Sequence, residues 1–237
     1  MRAPSARLMA MALLAGTLAG PADAVPGRGT SGLEVMRPAA GPGAAASTLI
    51  FLSGDLGWRV SMARKASVQL VEAGHVVVGL DSLAFFAAPR NPSEVAAWIG
   101  EAAGQPGVPR AGPIILAGQS FGADQILPAL AHLAPDVRDR LAGIVLVVPG
   151  IARYDHVSLA ERLGIGPAED AAPLTRSVPR TLPLLCIQGV GETDSLCPRF
   201  ANPRVERIAL PGGHMLDHDS DSLGLAIRRW LDRQTRR

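Results

Sequence analysis

The sequence predicts an α/β fold, with one mostly parallel sheet of about six to seven strands and helices on both faces. Three observations carry this. From about residue 48 onward, short apolar runs alternate with helix-like stretches, the pattern of strands joined by crossover helices. The runs are apolar throughout rather than alternating, as in strands buried on both faces. And Gly118-Gln119-Ser120-Phe121-Gly122 directly follows one such run and opens a helical stretch, the context in which G-x-S-x-G makes a sharp strand-to-helix turn with its serine at the tip.

Residues 25–46 are rich in Gly, Ala and Pro, with a short edge strand expected at Leu33–Met36. Thr48–Leu52 reads as a buried strand ending in the tight segment Ser53-Gly54-Asp55-Leu56-Gly57-Trp58. A helix is expected from Trp58 to Ala73, with Met62, Ala66, Leu70 and Ala73 at helical spacing and Gly74 as the stop. Val76–Leu80 is the next strand, and Pro92-Ser93-Glu94 starts a helix running to Ala103. Pro113–Ala117 leads into the G-x-S-x-G turn, whose helix should extend to about Leu133 with a kink or break at Pro128. Strands are expected at Leu141–Val148, Leu184–Ile187 and Arg204–Leu210, and a helix at Ser220–Asp232 closes the chain. Residues 150–182, irregular and rich in Pro and Gly, read as a cap or lid containing a short helix near 157–163.

The first stretch stands apart. A short basic segment to Arg7, an apolar run from Leu8 to Ala19 and Ala22-Asp23-Ala24 form a secretory signal peptide with cleavage expected after Ala24. This leaves residues 25–237 as a single domain in a periplasmic setting. The apolar run is too short for a stable bilayer span. A formal charge of +2, with no basic run interleaved with aromatics, argues against nucleic-acid binding. In an exported chain the two cysteines, Cys186 and Cys197, favour a disulfide; two separate thiols are the alternative that spacing leaves open.

A serine hydroxyl is a weak nucleophile that needs a base, and the base needs an orienting carboxylate. In this architecture the chain order is serine, acid, histidine. Of five histidines, His75 opens a strand on its amino side, His132 lies deep in a helix and His156 in the lid. His214 follows the last strand and the turn Pro211-Gly212-Gly213, which suits a base swinging over Ser120; His218 is the alternative. For the acid, the loop after Leu184–Gln188 offers Asp194 and Glu192, and Asp194 is preferred because a proline four residues on, Pro198, starts the next element. Backbone amides of Phe121 and of Asp55 or Leu56 are expected to form an oxyanion hole. Asp124, one helical turn past Ser120, suits the helix dipole and could also meet a cation in the cleft, as could Asp55. Trp58 and Phe85 are further expected substrate contacts. No metal or cofactor is implied.

Ser53-Gly54-Asp55-x-Gly57-Trp58, Gly79-x-Asp81-Ser82-Leu83, Gly118-x-Ser120-Phe121-Gly122-Ala123-Asp124, Asp194-Ser195-x-Cys197-Pro198 and Leu210-Pro211-Gly212-Gly213-His214 together resemble the VirJ/AcvB family of periplasmic bacterial proteins over about residues 48–235. The resemblance implies an α/β-hydrolase fold and a triad of Ser120, Asp194 and His214. It also implies hydrolysis of aminoacylated phosphatidylglycerol, peripheral contact with a membrane, and an association with type IV secretion proteins. Two departures from the family pattern are Leu56, where glycine is usual, and Ala84-Phe85-Phe86-Ala87-Ala88, where basic and aromatic residues are common.

Overall fold

In the computed structural model, residues 32–39, 47–158 and 167–234 are described. The expected leader, its cleavage point after Ala24 and all but the first two residues of the helix expected near 157–163 lie outside them.

The apolar runs become β1 (Leu33–Met36), β2 (Thr48–Leu52), β3 (Val76–Leu80), β4 (Ile114–Gln119) and β5 (Leu141–Val147). A two-residue ribbon, β6 (Ala152–Arg153) with β7 (Glu169–Asp170), precedes β8 (Leu184–Gly189) and β9 (Val205–Leu210). The main sheet has seven strands in the order β1-β3-β2-β4-β5-β8-β9. Only β1 runs antiparallel to its neighbour; the other pairs are parallel.

Strand side chains alternate between two cores, as the pleat requires. Leu49 and Phe51 of β2 join the cluster that contains Ala66 and Leu70 of helix α1 (Met62–Glu72). Ile50 and Leu52 face the other cluster, with Ile99 of the long helix α3 (Pro92–Ala103), which follows the one-turn helix α2 (Ser82–Phe85), and Ile126 of α4 (Phe121–Ala129), the helix after β4. The C-terminal helix, Ser220–Gln234, buries Leu223, Ile227 and Trp230 in the first cluster beside α1. Both sheet faces are therefore covered, which is why the strands read as continuous apolar runs.

Two helix ends differ from expectation by about a turn, each for a local reason, and three short elements were not expected. Helix α1 begins at Met62 rather than Trp58, because Ser61 caps it: its Oγ accepts the Arg64 N–H at 3.1 Å. The helix after β4 spans Phe121–Ala129 and passes into a 3-10 turn at Leu130–His132. Pro128 lies inside it and offers no N–H to the preceding turn. Ser82–Phe85, Pro135–Arg138 and the β6–β7 ribbon are too short to leave a periodic signal.

Trp58 lies in the turn before α1 and is 2% exposed. Its indole covers Gly79 of β3 so closely that a Cβ there would stand 1.9 Å from Cε2. Its Nε1–H donates to Glu34 Oε2 at 2.7 Å, and Arg64 meets the same carboxylate at 2.8 Å. Arg64 first, with help from the indole, holds the Glu34 carboxyl below the usual range against its partial burial. Edge strand β1 is thereby pinned to α1. Replacing Gly79→Ala should cost about 1–3 kcal/mol through overpacking. The measurement is a urea midpoint, with partial recovery expected in Gly79→Ala/Trp58→Leu; an unchanged midpoint for the single variant would refute the packing.

Candidate active site

Ser120 sits between β4 and α4, in a backbone conformation (φ 51°, ψ −124°) that side-chain-bearing residues rarely adopt. The flanking glycines show why the turn needs them. A Cβ on Gly118 would lie 2.6 Å from the Ala123 backbone, and one on Gly122 would lie 2.3 Å from the Ser53 carbonyl oxygen. The middle residue helps too: Gln119 Oε1 accepts the Ala63 N–H at 2.9 Å, tying the turn to α1.

Ser120 Oγ is 2.7 Å from His214 Nε2, and His214 Nδ1 is 2.6 Å from Glu192 Oε1. The Glu192 side chain is 1% exposed, and its other oxygen accepts the Gly189 N–H at 3.2 Å. A buried carboxylate at Nδ1 assigns the ring proton there and leaves Nε2 to accept from the serine hydroxyl. Glu192 raises the His214 pKa chiefly through this hydrogen bond; burial opposes the rise, and the charges of Glu192, Asp194 and Asp55 add to it.

The acid at His214 is thus Glu192, not the expected Asp194. The chain turns immediately after β8, with the Glu192 N–H bonded to the Gly189 carbonyl at 3.1 Å. That turn folds the longer glutamate side chain back under the imidazole. Asp194 lies two residues farther, is exposed, and lines the pocket; its own carbonyl accepts the Ile151 N–H at 2.9 Å. Two backbone bonds, Val190 N–H to the Leu210 carbonyl and Gly191 N–H to the Gly212 carbonyl, both 2.9 Å, join the Glu192 loop to the His214 loop. The Cys186–Cys197 disulfide is present and links β8 to the far end of the Glu192 loop.

The serine opens on a pocket of about 430 Å³. Asp55, Leu56 and Phe121 line it, as do Asp124, Tyr154 and Met215; three carboxylates, Asp55, Asp124 and Asp194, face it without a lysine or arginine. Phe121 heads α4, so its N–H has no acceptor within the helix. The β2 loop lies against the turn: a Cβ on Gly54 would be 3.5 Å from the Gln119 carbonyl and 3.6 Å from Ser120 Cβ. Residues of the expected lid wall the opposite side, with Ala152 and Tyr154 in the lining. Asp124 Oδ1 accepts the Gly150 N–H at 2.9 Å. Burial pushes its carboxyl well above the usual range, with Glu192 and Asp194 adding to the push, while the Gly150 bond and Arg153 oppose it.

Two expected substrate contacts lie elsewhere. Trp58 is buried against Gly79 and Glu34. Phe85 stacks on Trp98 with centroids 4.0 Å apart and carries Arg90 over its face, outside the pocket lining. Phe86 meets Phe85 edge-on at 5.0 Å and Phe121 edge-on at 4.9 Å. The apolar bulk of Trp58 and Phe85 went to packing. Among the other histidines, His75 is buried with Nδ1 2.8 Å from Ser47 Oγ, and His132 and His218 are exposed.

The sequence signature of the family described as bacterial virulence protein VirJ matches residues 47–235. The chain belongs to the VirJ family. The solved structures it resembles share the α/β-hydrolase fold. Est1E from Butyrivibrio proteoclasticus is 14% identical with a TM-score of 0.62, covering 86% of this chain and 94% of its own. MenH from S. aureus is 12% identical with a TM-score of 0.61, covering 86% and 99%. The esterase domain of a Rhodothermus marinus protein is 15% identical with a TM-score of 0.58, covering 84% and 91%. No curated protein sequence matches this VirJ-family chain.

Two measurements test the electrostatics. Titrating the His214 imidazole by NMR should give a value above the ordinary ~6.5. Glu192→Gln should lower it markedly and Asp194→Asn only slightly; the reverse ranking would return Asp194 to the histidine. For Asp124 the folded state holds its proton more tightly than the unfolded chain, so stability is lost as pH rises from ~3.9 through the folded value. Asp124→Asn removes that loss. Its melting temperature should match wild type near the acid end and exceed it increasingly towards neutral pH; a constant difference would contradict the assignment.

Proposed function

We propose that this VirJ-family protein is a serine esterase, with Ser120 as nucleophile, His214 as general base and Glu192 as the group that orients and supports the imidazole. The observation that carries this is the hydrogen-bonded chain of 2.7 and 2.6 Å from Ser120 through His214 to Glu192, set on a strained turn. His214 takes the hydroxyl proton as Ser120 Oγ attacks the ester carbonyl. The Phe121 amide and that of Asp55 or Leu56 hold the oxyanion, aided by the α4 N-terminus. His214 then gives the proton to the departing alcohol. Water attacks the acyl-enzyme by the same route and frees the acid.

The substrate follows from the pocket's charge. Asp55 and Asp194 line it with no cationic side chain among the lining, which favours an acyl group bearing an ammonium; Asp124, held towards its neutral form by burial, can still accept a hydrogen bond from that group. An aminoacyl ester fits this, and membership of the VirJ family supports aminoacylated phosphatidylglycerol as the carrier. Asp194, displaced from the triad, becomes one of the carboxylates that meets the amino group. The Cys186–Cys197 bridge supports an oxidising, periplasmic location, and the family resemblance set out above implies an association with secretion proteins.

Ser120→Ala should fold normally and lose on the order of 10⁶ in kcat, along with labelling by a fluorophosphonate probe. Purified protein should turn over lysyl- or alanyl-phosphatidylglycerol in preference to short nitrophenyl esters. Absence of labelling in the wild type would sink the serine mechanism. Preference for the nitrophenyl esters would leave an esterase of small apolar substrates instead.

A further inference from the structure

The lining of the serine pocket divides by what each part does in the proposed reaction. The oxyanion forms towards the amides of Phe121 and of Asp55 or Leu56. The departing alcohol lies towards His214, which gives it a proton, with Met215 as the next residue of the lining. The acyl group takes the direction that remains, where the lining consists of Asp124, Gly150, Ala152, Tyr154 and Asp194. Gly150 and Ala152 offer little or no side chain, and the two aspartates are short. Tyr154 is the one large side chain of this group. It is half-buried and packs on the apolar cluster that contains Phe86 and Phe121. Among the described residues its hydroxyl makes no hydrogen bond.

The backbone that carries Tyr154 is held from two sides. Successive residues of α4 grip it: Asp124 Oδ1 accepts the Gly150 N–H at 2.9 Å, and Gln125 Nε2 donates to the Tyr154 carbonyl at 2.8 Å. Gln125 is 2% exposed, and its Oε1 accepts from Arg153 Nη1 at 3.1 Å. Arg153, itself buried, pairs with Glu169 across the β6–β7 ribbon. From the triad side, the Ile151 N–H bonds to the Asp194 carbonyl at 2.9 Å and the Leu196 N–H to the Pro149 carbonyl at 2.8 Å. Farther along, the Arg90 N–H meets the Asp155 carbonyl at 3.0 Å and the Val157 N–H meets the Phe86 carbonyl at 2.9 Å. A long acyl chain could displace this wall only by breaking bonds at both ends of it.

We infer that Tyr154 sets the acyl selectivity of the site: its ring bounds the acyl side and limits chain length, and its hydroxyl accepts a hydrogen bond from the substrate's ammonium. The inference rests on the esterase reading above and narrows its substrate to short acyl groups that carry an amine. A phenol oxygen and the Asp194 carboxylate both accept from an ammonium, and neither brings a competing charge of the same sign. The pocket, about 430 Å³, lies near the small end of ligand sites, as a limit on acyl length requires.

The test compares kcat/KM over nitrophenyl esters from acetate to octanoate and over the methyl esters of alanine and lysine. Fluorophosphonate labelling of Ser120 reports in each variant that the site is intact. Wild type should favour the short chains. Tyr154→Ala should gain roughly tenfold on octanoate relative to acetate, and Tyr154→Leu, which keeps apolar packing, should fall between. Tyr154→Phe should keep the chain-length profile, yet raise the KM of the amino esters roughly tenfold relative to that of the acetate, through KM rather than kcat. Labelled Tyr154→Ala and Tyr154→Leu proteins with the wild-type profile would overturn the ring's role and leave the esterase reading standing. An unmoved KM for the amino esters in Tyr154→Phe would overturn the hydroxyl's role. A wild type that takes no label would sink the esterase reading, and this inference with it.

Discussion

Where α4 crosses the ends of β2 and β4, the backbones come so close that Gly118 and Gly122 have no room for a Cβ. The Ser120 conformation depends on that contact. A residue at φ 51° persists only where its surroundings over-determine it. Here the strand register, the helix start and the Gln119 bond to Ala63 do so together. The hydroxyl is thereby held at the carboxyl end of a central strand, with a free amide at the helix N-terminus beside it. The rest of the site is built from loops that reach this one point.

Those loops have their own constraint. The Glu192 and His214 loops leave adjacent parallel strands and are bonded to each other before either reaches the serine. A disulfide closes the first loop, and the Gly150–Ser195 bridge ties it to the segment after β5. The imidazole is therefore positioned by strand pairing rather than by its own flexible turn. The same arrangement concentrates negative charge: the charges of Glu192, Asp194 and Asp55 reinforce the Glu192 hydrogen bond that makes His214 keep its proton more readily, and those of Glu192 and Asp194 reinforce the burial that makes Asp124 give its proton up less readily. A base surrounded by carboxylates suits a substrate that brings a positive charge of its own.

Most of the fold was legible because burial on both faces writes each parallel strand as an apolar run. The elbow was legible because its sterics demand glycine two residues either side of Ser120. His214 was legible from its place after the last strand. Helix ends were less so: Ser61 acts as a cap only because the chain turns at Gly57–Val60 to bury Trp58, and no periodicity records that.

What the sequence alone determined, then, is the sheet, the turn that presents Ser120, and the histidine that can reach it, since each follows from local sterics or from chain order. Tertiary structure alone decided which carboxylate serves that histidine. Glu192 and Asp194 are two residues apart on one loop, and only the tight turn at Gly189 sends the longer side chain inward and leaves the aspartate facing the pocket. It likewise decided the fate of the aromatics. Trp58 and Phe85 each follow a strand of the sheet, as site residues do, but burying a large ring against Gly79 or Trp98 removes more apolar surface from water than leaving it at a polar pocket.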